Sequence, residues 1–310
     1  MIKEELKDKM LGCLYGQAIG NALGLVTEFM DKETVKNQYP TQLRKYPYNQ
    51  GNWQDDDTTQ MLCLLEELKD NMAIIPQSLA KKLENWLETD GRGCGNLVYN
   101  VINHRDFLIN PFLAAYDRWK LSQCEAAPNG GIMRTSVIGL LRDNVIVNAE
   151  AACKVTHYDP RCVGSCVIAS QIIHSLIWEQ RELTYEDIKN IALKYDNRIV
   201  EWIDLAYSGT LSDLCLGEFI GMGYTLKTLS AALWCYWHAM SFEDGLVAIV
   251  NEGGDADTNA AISCAILGAK FGYSSIPKYY IDNLSDKQIY HNIITEFIDL
   301  IINIKTEGCH

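Results

Sequence analysis

This sequence is short of several things, and each shortage removes a class of protein. Only 7 of its 310 residues are proline, and no Pro/Ser-rich, low-complexity or repeating stretch breaks the chain, which argues against an interdomain linker and against a solenoid. Residues 1–310 are therefore read as a single domain. Positive charge is scarce: 27 Lys and Arg stand against 40 Asp and Glu, a net charge of −13. A broad basic surface is thus excluded, and nucleic acid is not the principal partner. No uninterrupted apolar run reaches about 18 residues, so no membrane span is expected. The charged first ten residues lead into a stretch broken by Gly12, Gln17, Gly20 and Asn21 with no cleavage-site pattern, which reads as a first helix and not a leader. Cysteine is plentiful at 11, but no pair of CxxC units suggests zinc. An odd count without an export signal reads as free thiols in a reducing cytoplasm.

What the chain does have is carboxylate, concentrated at two places. Gly253-Gly254-Asp255-Ala256-Asp257-Thr258 and Asp55-Asp56-Asp57-Thr58 each stand immediately before an apolar helical run. Asp and Thr cap helices and favour the positive end of the helix dipole, so two unrelated caps are one reading. A cap needs one oxygen, however, and these segments hold five carboxylates and two hydroxyls. A shared site for hard divalent cations, which take oxygen ligands, is the other reading.

The rest of the pattern is helical. Glycines recur every four residues at Gly12, Gly16, Gly20 and Gly24 on a predicted helix from Lys3 to about Thr27, a small-residue stripe that lets another backbone approach. Further helices are expected at 57–69, 76–88, 111–122, 145–155, 161–180, 185–195, 199–206, 225–250 (a helix-turn-helix), 257–271 and 287–302. Two glycine turns, Gly91-Arg92-Gly93-Cys94-Gly95 and Asn129-Gly130-Gly131, free backbone N–H groups for an anionic ligand or are plain turns. Arg134, one turn into the helix expected after the second, either adds charge for phosphate or braces a neighbour. His157 at a corner reads as a ligand contact or a structural hydrogen-bonder, and Trp234, Tyr236, Trp237 and Phe242 as core or as an adenine wall. Gln17 and Asn21 read as polar decoration, with Glu28 kept as a site candidate. With no series of alternating strands, the fold is all-α, a single compact orthogonal helical bundle.

Taken in order, Gly16–Gly24 with Glu28, Asp55–Thr58, Gly91–Gly95, Asn129–Arg134, Thr156-His157 and Gly253–Thr258 resemble the ADP-ribosylglycohydrolase family, from about Met10 to Gly272. That family includes dinitrogenase reductase activating glycohydrolase and the ADP-ribosyl-acceptor hydrolases. The resemblance implies an all-α bundle with a binuclear Mg²⁺ or Mn²⁺ centre. Asp56, Asp57 and Thr58 would ligate from one side and Asp255, Asp257 and Thr258 from the other, with Asp55 in reserve. Glu28, Asp56 and Asp257 would be catalytic. Gly93, Cys94, Gly95, Asn129, Gly130, Gly131, Arg134 and His157 would bind the substrate, the diphosphate lying across the two glycine turns. This chain departs from the family in having Asn21 for the usual Asp, an acidic stretch one residue longer after Trp53, and Gly91 beside Asp90 where some relatives place an acidic base.

The implied reaction is hydrolysis at C1″ of ADP-ribose attached to a modified protein, with an arginine linkage favoured. O-acetyl-ADP-ribose, a serine linkage, and a non-catalytic ADP-ribose binder of crystallin-like type are the alternatives, and a phosphate-ester hydrolase using the same carboxylates is a further rival. A monomer acting in the cytoplasm is expected.

Overall fold

A computed structural model describes residues 3–303. In chain order its α-helices are α1 (Lys3–Gly24), α2 (Lys32–Gln38), α3 (Asp56–Asn71), α4 (Pro76–Thr89), α5 (Asn96–Ile102), α6 (Pro111–Leu121), α7 (Val145–Lys154), α8 (Pro160–His174), α9 (Tyr185–Ala192), α10 (Arg198–Ser208), α11 (Thr225–His238), α12 (Phe242–Val250), α13 (Ala256–Phe271), α14 (Lys278–Asp282) and α15 (Lys287–Asn303). Among the described residues there is no strand, only isolated bridges pairing Gly51 with Leu284 and Pro128 with Tyr224. The fold is all-α.

The glycine stripe sets the centre. A Cβ built on Gly12, Gly16, Gly20 or Gly24 would run into the backbone of Gly268, Cys264, Ala260 and Asp257 respectively. So α1 and α13 lie backbone to backbone, and α13 is buried at every position from Ala256 to Ala269. This seam fixes where the first turn of α13 sits relative to the chain leaving α1. Around it one continuous apolar cluster runs from Leu6 to Ile301, each fully buried Leu or Ile contributing roughly 1.5–3 kcal/mol.

Polar side chains on the seam are struts. Gln17, fully buried, donates from Nε2 to the carbonyls of Asp57 and Met133, both at 2.9 Å, and accepts from Ser136 Oγ. It ties α1 to the start of α3, which corrects the reading of Gln17 as polar decoration. Asn21 Oδ1 accepts from Thr58 Oγ1 at 2.8 Å, so it too is a buried contact.

Two further expectations change. Residues Ile132–Leu140 form a 3₁₀ segment and not an α-helix. All nine residues are buried, and Thr135, Val137 and Ile138, branched at Cβ, resist the α conformation. The second concerns Pro160–Glu179, where α8 runs on into a π turn. It is long and apolar enough to cross a membrane by length and composition. However, 78% of its most apolar window is buried inside the bundle, packed on α7, α10, α11 and α13.

Candidate metal and ligand site

The two acidic segments meet at the end of the seam. Asp55 and Asp255 occupy the cap positions of α3 and α13, yet neither makes a side-chain capping bond. The reading of these segments as helix caps therefore fails on geometry. The two heads touch: Thr258 Oγ1 donates to Asp57 Oδ2 at 3.3 Å. Glu28, Asp255 and Asp257 each bring an oxygen within 4.8 Å of the others, as do Asp55, Asp56 and Asp57.

Glu28 reaches this place through a backbone clasp. Phe29 N donates to Gly254 O and Gly254 N to Met30 O, both at 2.7 Å, and Thr27 Oγ1 donates to Val250 O at 2.6 Å. Gly253 and Gly254 both sit at positive φ, +73° and +69°, with the Met30 and Leu216 carbonyls pressed against them, so any side chain there would open the clasp.

The electrostatics are those of negative charge without compensation. Burial first, and then Asp55, Asp255 and Glu28, push the Asp56 carboxyl well above the usual range. Burial and neighbouring carboxylates do the same to Asp57 and Asp257. Glu28 is lifted to about 7, by burial first and then by Asp255 and Asp55. Asp57 Oδ1 and Asp257 Oδ1 are buried and have no hydrogen-bond partner. An orphaned buried carboxylate oxygen on each helix start, among crowded like charges, fits hard divalent cations and little else.

Above this floor opens a cavity of about 650 Å³, within the range of small-molecule sites. Glu28, Asp56, Asp255, Asp257 and Thr258 reach its surface, while Asp57 and Thr58 lie beneath them. The walls are neutral: among the described residues that line it there is no Lys or Arg. One wall is Gly93 and Gly95. A Cβ on Gly93, at φ +74°, would come 2.6 Å from Asp55 Oδ1 and 2.7 Å from Asp56 Oδ1, so glycine lets this loop cover the carboxylates. Arg92 pins the loop by donating to Gln54 O at 2.8 Å and pairing with Asp90 at 3.4 Å. Asp90 does not reach the cavity. Opposite lie Asn129, Gly130 and His157. Asn129 Nδ2 donates to Asp255 Oδ2 at 2.5 Å and to Thr228 Oγ1 at 2.9 Å, so it orients a floor carboxylate as well as lining the wall.

Three of the substrate-binding candidates fall outside the cavity lining. Arg134 is wholly buried and donates to Gln60 Oε1, Ala152 O and Thr156 Oγ1; it is a brace, because every bond it makes lies inside the bundle, and its buried Nε has no partner. Gly131 backs onto Cys153 and Cys166. Cys94 is not part of the lining, and burial, then Asp56, raise its thiol to about 11. The aromatic wall is also elsewhere. Tyr236 and Phe242 are core, Trp237 packs on Tyr207 and Trp234 on His238. Phe29 and Tyr224 line the cavity instead. Tyr224 is brought there by Asn129 N donating to Gly223 O at 2.8 Å and Thr225 N to Ala127 O at 3.0 Å. No sequence pattern marks that pairing; only the positive-φ Gly221 and Gly223 hint at a shaped loop.

The ADP-ribosylglycohydrolase family model matches residues 2–307. The chain belongs to this family. As an ADP-ribosylglycohydrolase it stands among enzymes that hydrolyse the glycosidic bond of ADP-ribose. It is 29% identical to an uncharacterised protein of Archaeoglobus fulgidus over 96% of this chain and 99% of that one. It is 26% identical to the ADP-ribosylarginine hydrolase Tri1 of Serratia proteamaculans, over 94% of this chain and 79% of that one. With the ADP-ribosyl-dinitrogen reductase glycohydrolase of Rhodospirillum rubrum it shares 25% identity over 93% and 94% of the two chains. A solved structure described as an ADP-ribosylglycohydrolase-related protein complex superposes with a TM-score of 0.73 at 22% identity, covering 96% of this chain and 99% of that one; it shares the fold.

Proposed function

We propose that this glycohydrolase is a metal-dependent enzyme that releases ADP-ribose from arginine side chains of modified proteins. The observation that carries the reading is the pair of partnerless buried oxygens, Asp57 Oδ1 and Asp257 Oδ1, beneath a cavity with neutral walls. The names of relatives such as the Serratia hydrolase support the arginine linkage.

Asp56, Asp57, Asp255, Asp257 and Thr258 would hold two Mg²⁺ or Mn²⁺ ions, with Glu28, Asp55 and Thr58 beside them. When bound, such cations supply Lewis acidity toward ribose hydroxyls and water. The chain's own groups do the rest. Asn129 holds Asp255 in place from the wall. Glu28, at the cavity surface with Asp255 and Asp257 within reach, is placed to take a proton from the attacking water at C1″. The Gly93–Gly95 and Gly130 backbones border the space for the diphosphate, and Phe29 and Tyr224 enclose its apolar end. The thiols favour a reducing cytoplasm, all ten described cysteines being free, and the enzyme is taken to act there as a monomer.

The test is product analysis. Arginine-linked and serine-linked ADP-ribosylated proteins are incubated with the enzyme and Mg²⁺, Mn²⁺ or chelator. Free ADP-ribose from the arginine linkage, abolished by chelator, is expected. AMP or inorganic phosphate as product would make it a phosphate-ester hydrolase. Release from serine only would move the linkage, and binding of ADP-ribose without any release would make it a reader.

A further inference from the structure

His157 is 1% exposed but forms part of the cavity wall. A Cβ on Gly130 would meet its Cε1 at 2.9 Å and its Nε2 at 3.1 Å, so the Nε2 edge of the ring faces the glycine turn. The opposite nitrogen, Nδ1, lies 2.8 Å from Thr156 Oγ1. That hydroxyl is itself fully buried and takes a hydrogen bond from Arg134 Nη2 at 2.5 Å.

The direction of these bonds follows from which groups can only donate. A guanidinium has no acceptor, so Thr156 Oγ1 accepts from Arg134. The hydroxyl's single proton must go elsewhere, and among the described residues its remaining partner is His157 Nδ1. Nδ1 must then be bare, because a proton there would leave the Thr156 hydroxyl buried with no acceptor, at a cost of about 1–3 kcal/mol. A neutral imidazole with bare Nδ1 carries its proton on Nε2. The imidazolium is disfavoured on the same geometry. Arg134 has no carboxylate within ion-pairing distance among the described residues, and burial, then that guanidinium, lower the His157 pKa well below 6.5.

We propose that Arg134 and Thr156 are positioning residues that hold His157 as the neutral Nε2–H tautomer, so that the wall beside Gly130 offers a fixed N–H donor to a phosphate oxygen of the ligand. The ligand half of this statement rests on the reading that an ADP-ribosyl group occupies the cavity. It accounts for two facts together. The lining has no Lys or Arg to meet a diphosphate, which leaves neutral donors to do so. A buried arginine without an anionic partner is costly by itself, and here its donation to Thr156 sets the direction of the whole chain of bonds. The wrong tautomer would present a lone pair to the phosphate instead of a proton.

The test is heteronuclear NMR on protein with ¹⁵N-labelled histidine, the His157 signals being assigned by their loss in His157→Gln, together with calorimetric titration by ADP-ribose. In the wild type, Nε2 should show the shift of a protonated nitrogen and Nδ1 that of a bare one. Thr156→Val, close in shape but without the hydroxyl, should give a mixture of tautomers and weaken ADP-ribose about tenfold, as expected for one hydrogen bond lost. Thr156→Ser should restore both readouts, which loss of packing alone would not produce. A wild type that binds ADP-ribose with the proton on Nδ1 overturns the lock and leaves the function standing, as does a Thr156→Val variant that keeps the Nε2–H signature. A wild type with the stated tautomer that binds no ADP-ribose overturns the ligand reading and with it the purpose given to the lock.

Discussion

The heads of α8 and α13 both carry aspartate and use it in opposite ways. At the head of α8, Asp159 is fully spent: its oxygens accept from the Arg161 backbone and guanidinium at 2.7–2.8 Å and from Trp119 Nε1 at 2.9 Å. At the head of α13, Asp255 makes no capping bond and Asp257 Oδ1 has no partner at all. The residue type matches throughout, Asp255 shares the place on the helix and Asp257 the burial; the company does not match. A carboxylate that the fold needs is surrounded by donors, whereas one kept for a ligand is left unsatisfied and crowded by its own kind. Hydrogen-bond partners distinguish the two heads more sharply than burial does.

The contrast breaks if the two sites respond alike. The largest effect is expected at Asp257→Asn, which should lower turnover by about 10³-fold or more and abolish the rise in melting temperature on adding Mn²⁺. The chelated variant should melt no lower than chelated wild type, because one crowding charge has gone. A related sign holds for the wild type. Carboxyls whose folded pKa is raised bind protons more readily in the folded state, so their contribution is present below about pH 4 and lost as pH rises toward the folded values, about 7 for Glu28. Chelated protein should therefore gain stability as pH falls from 7 to 5, and saturating Mn²⁺ should flatten that slope.

Asp159→Ala should do the reverse. Leaving Arg161 unpaired inside the fold is expected to cost about 3 kcal/mol in chemical unfolding, with the Mn²⁺-induced stabilisation unchanged. Asn129→Ala sharpens the comparison from the side of the wall. It removes the one side-chain donor aimed from that wall at Asp255, and metal affinity measured by calorimetry should fall about tenfold with little loss of stability. The smallest effect belongs to His157. Because its folded pKa is depressed, its contribution is whole above about 6.5 and fades as pH falls below that value. The difference in stability between wild type and His157→Gln should shrink on acidification, readable from unfolding curves at pH 7 and pH 5.

The same contrast shows what a sequence can and cannot carry. The acidic starts were legible because five carboxylates at two helix heads exceed what caps require, and the four-residue glycine spacing of α1 already specified a close seam. Those are local patterns with a single physical use. Arg134 was not legible. An arginine beside a glycine turn is as good a phosphate ligand as a brace, and only the positions of Gln60, Ala152 and Thr156 decide between them. The Gly221–Tyr224 loop left almost no trace, since two backbone hydrogen bonds to the Ala127–Asn129 turn place it and backbone bonding leaves no signature in residue type. The aromatic run from Trp234 to Phe242 was open to two readings for a related reason: a ring that packs a core and a ring that walls a pocket are the same residue.

On this reading the heads of α3 and α13 form one cation site and not two caps. Equilibrium dialysis against Mn²⁺, with wild type beside Asp57→Asn and Asp257→Asn, tests it most directly. About two ions per wild-type chain are expected, with loss of tight binding in either variant, since each head needs the other. Tight binding that survives one substitution unchanged, or a wild type that retains no Mn²⁺, would contradict it.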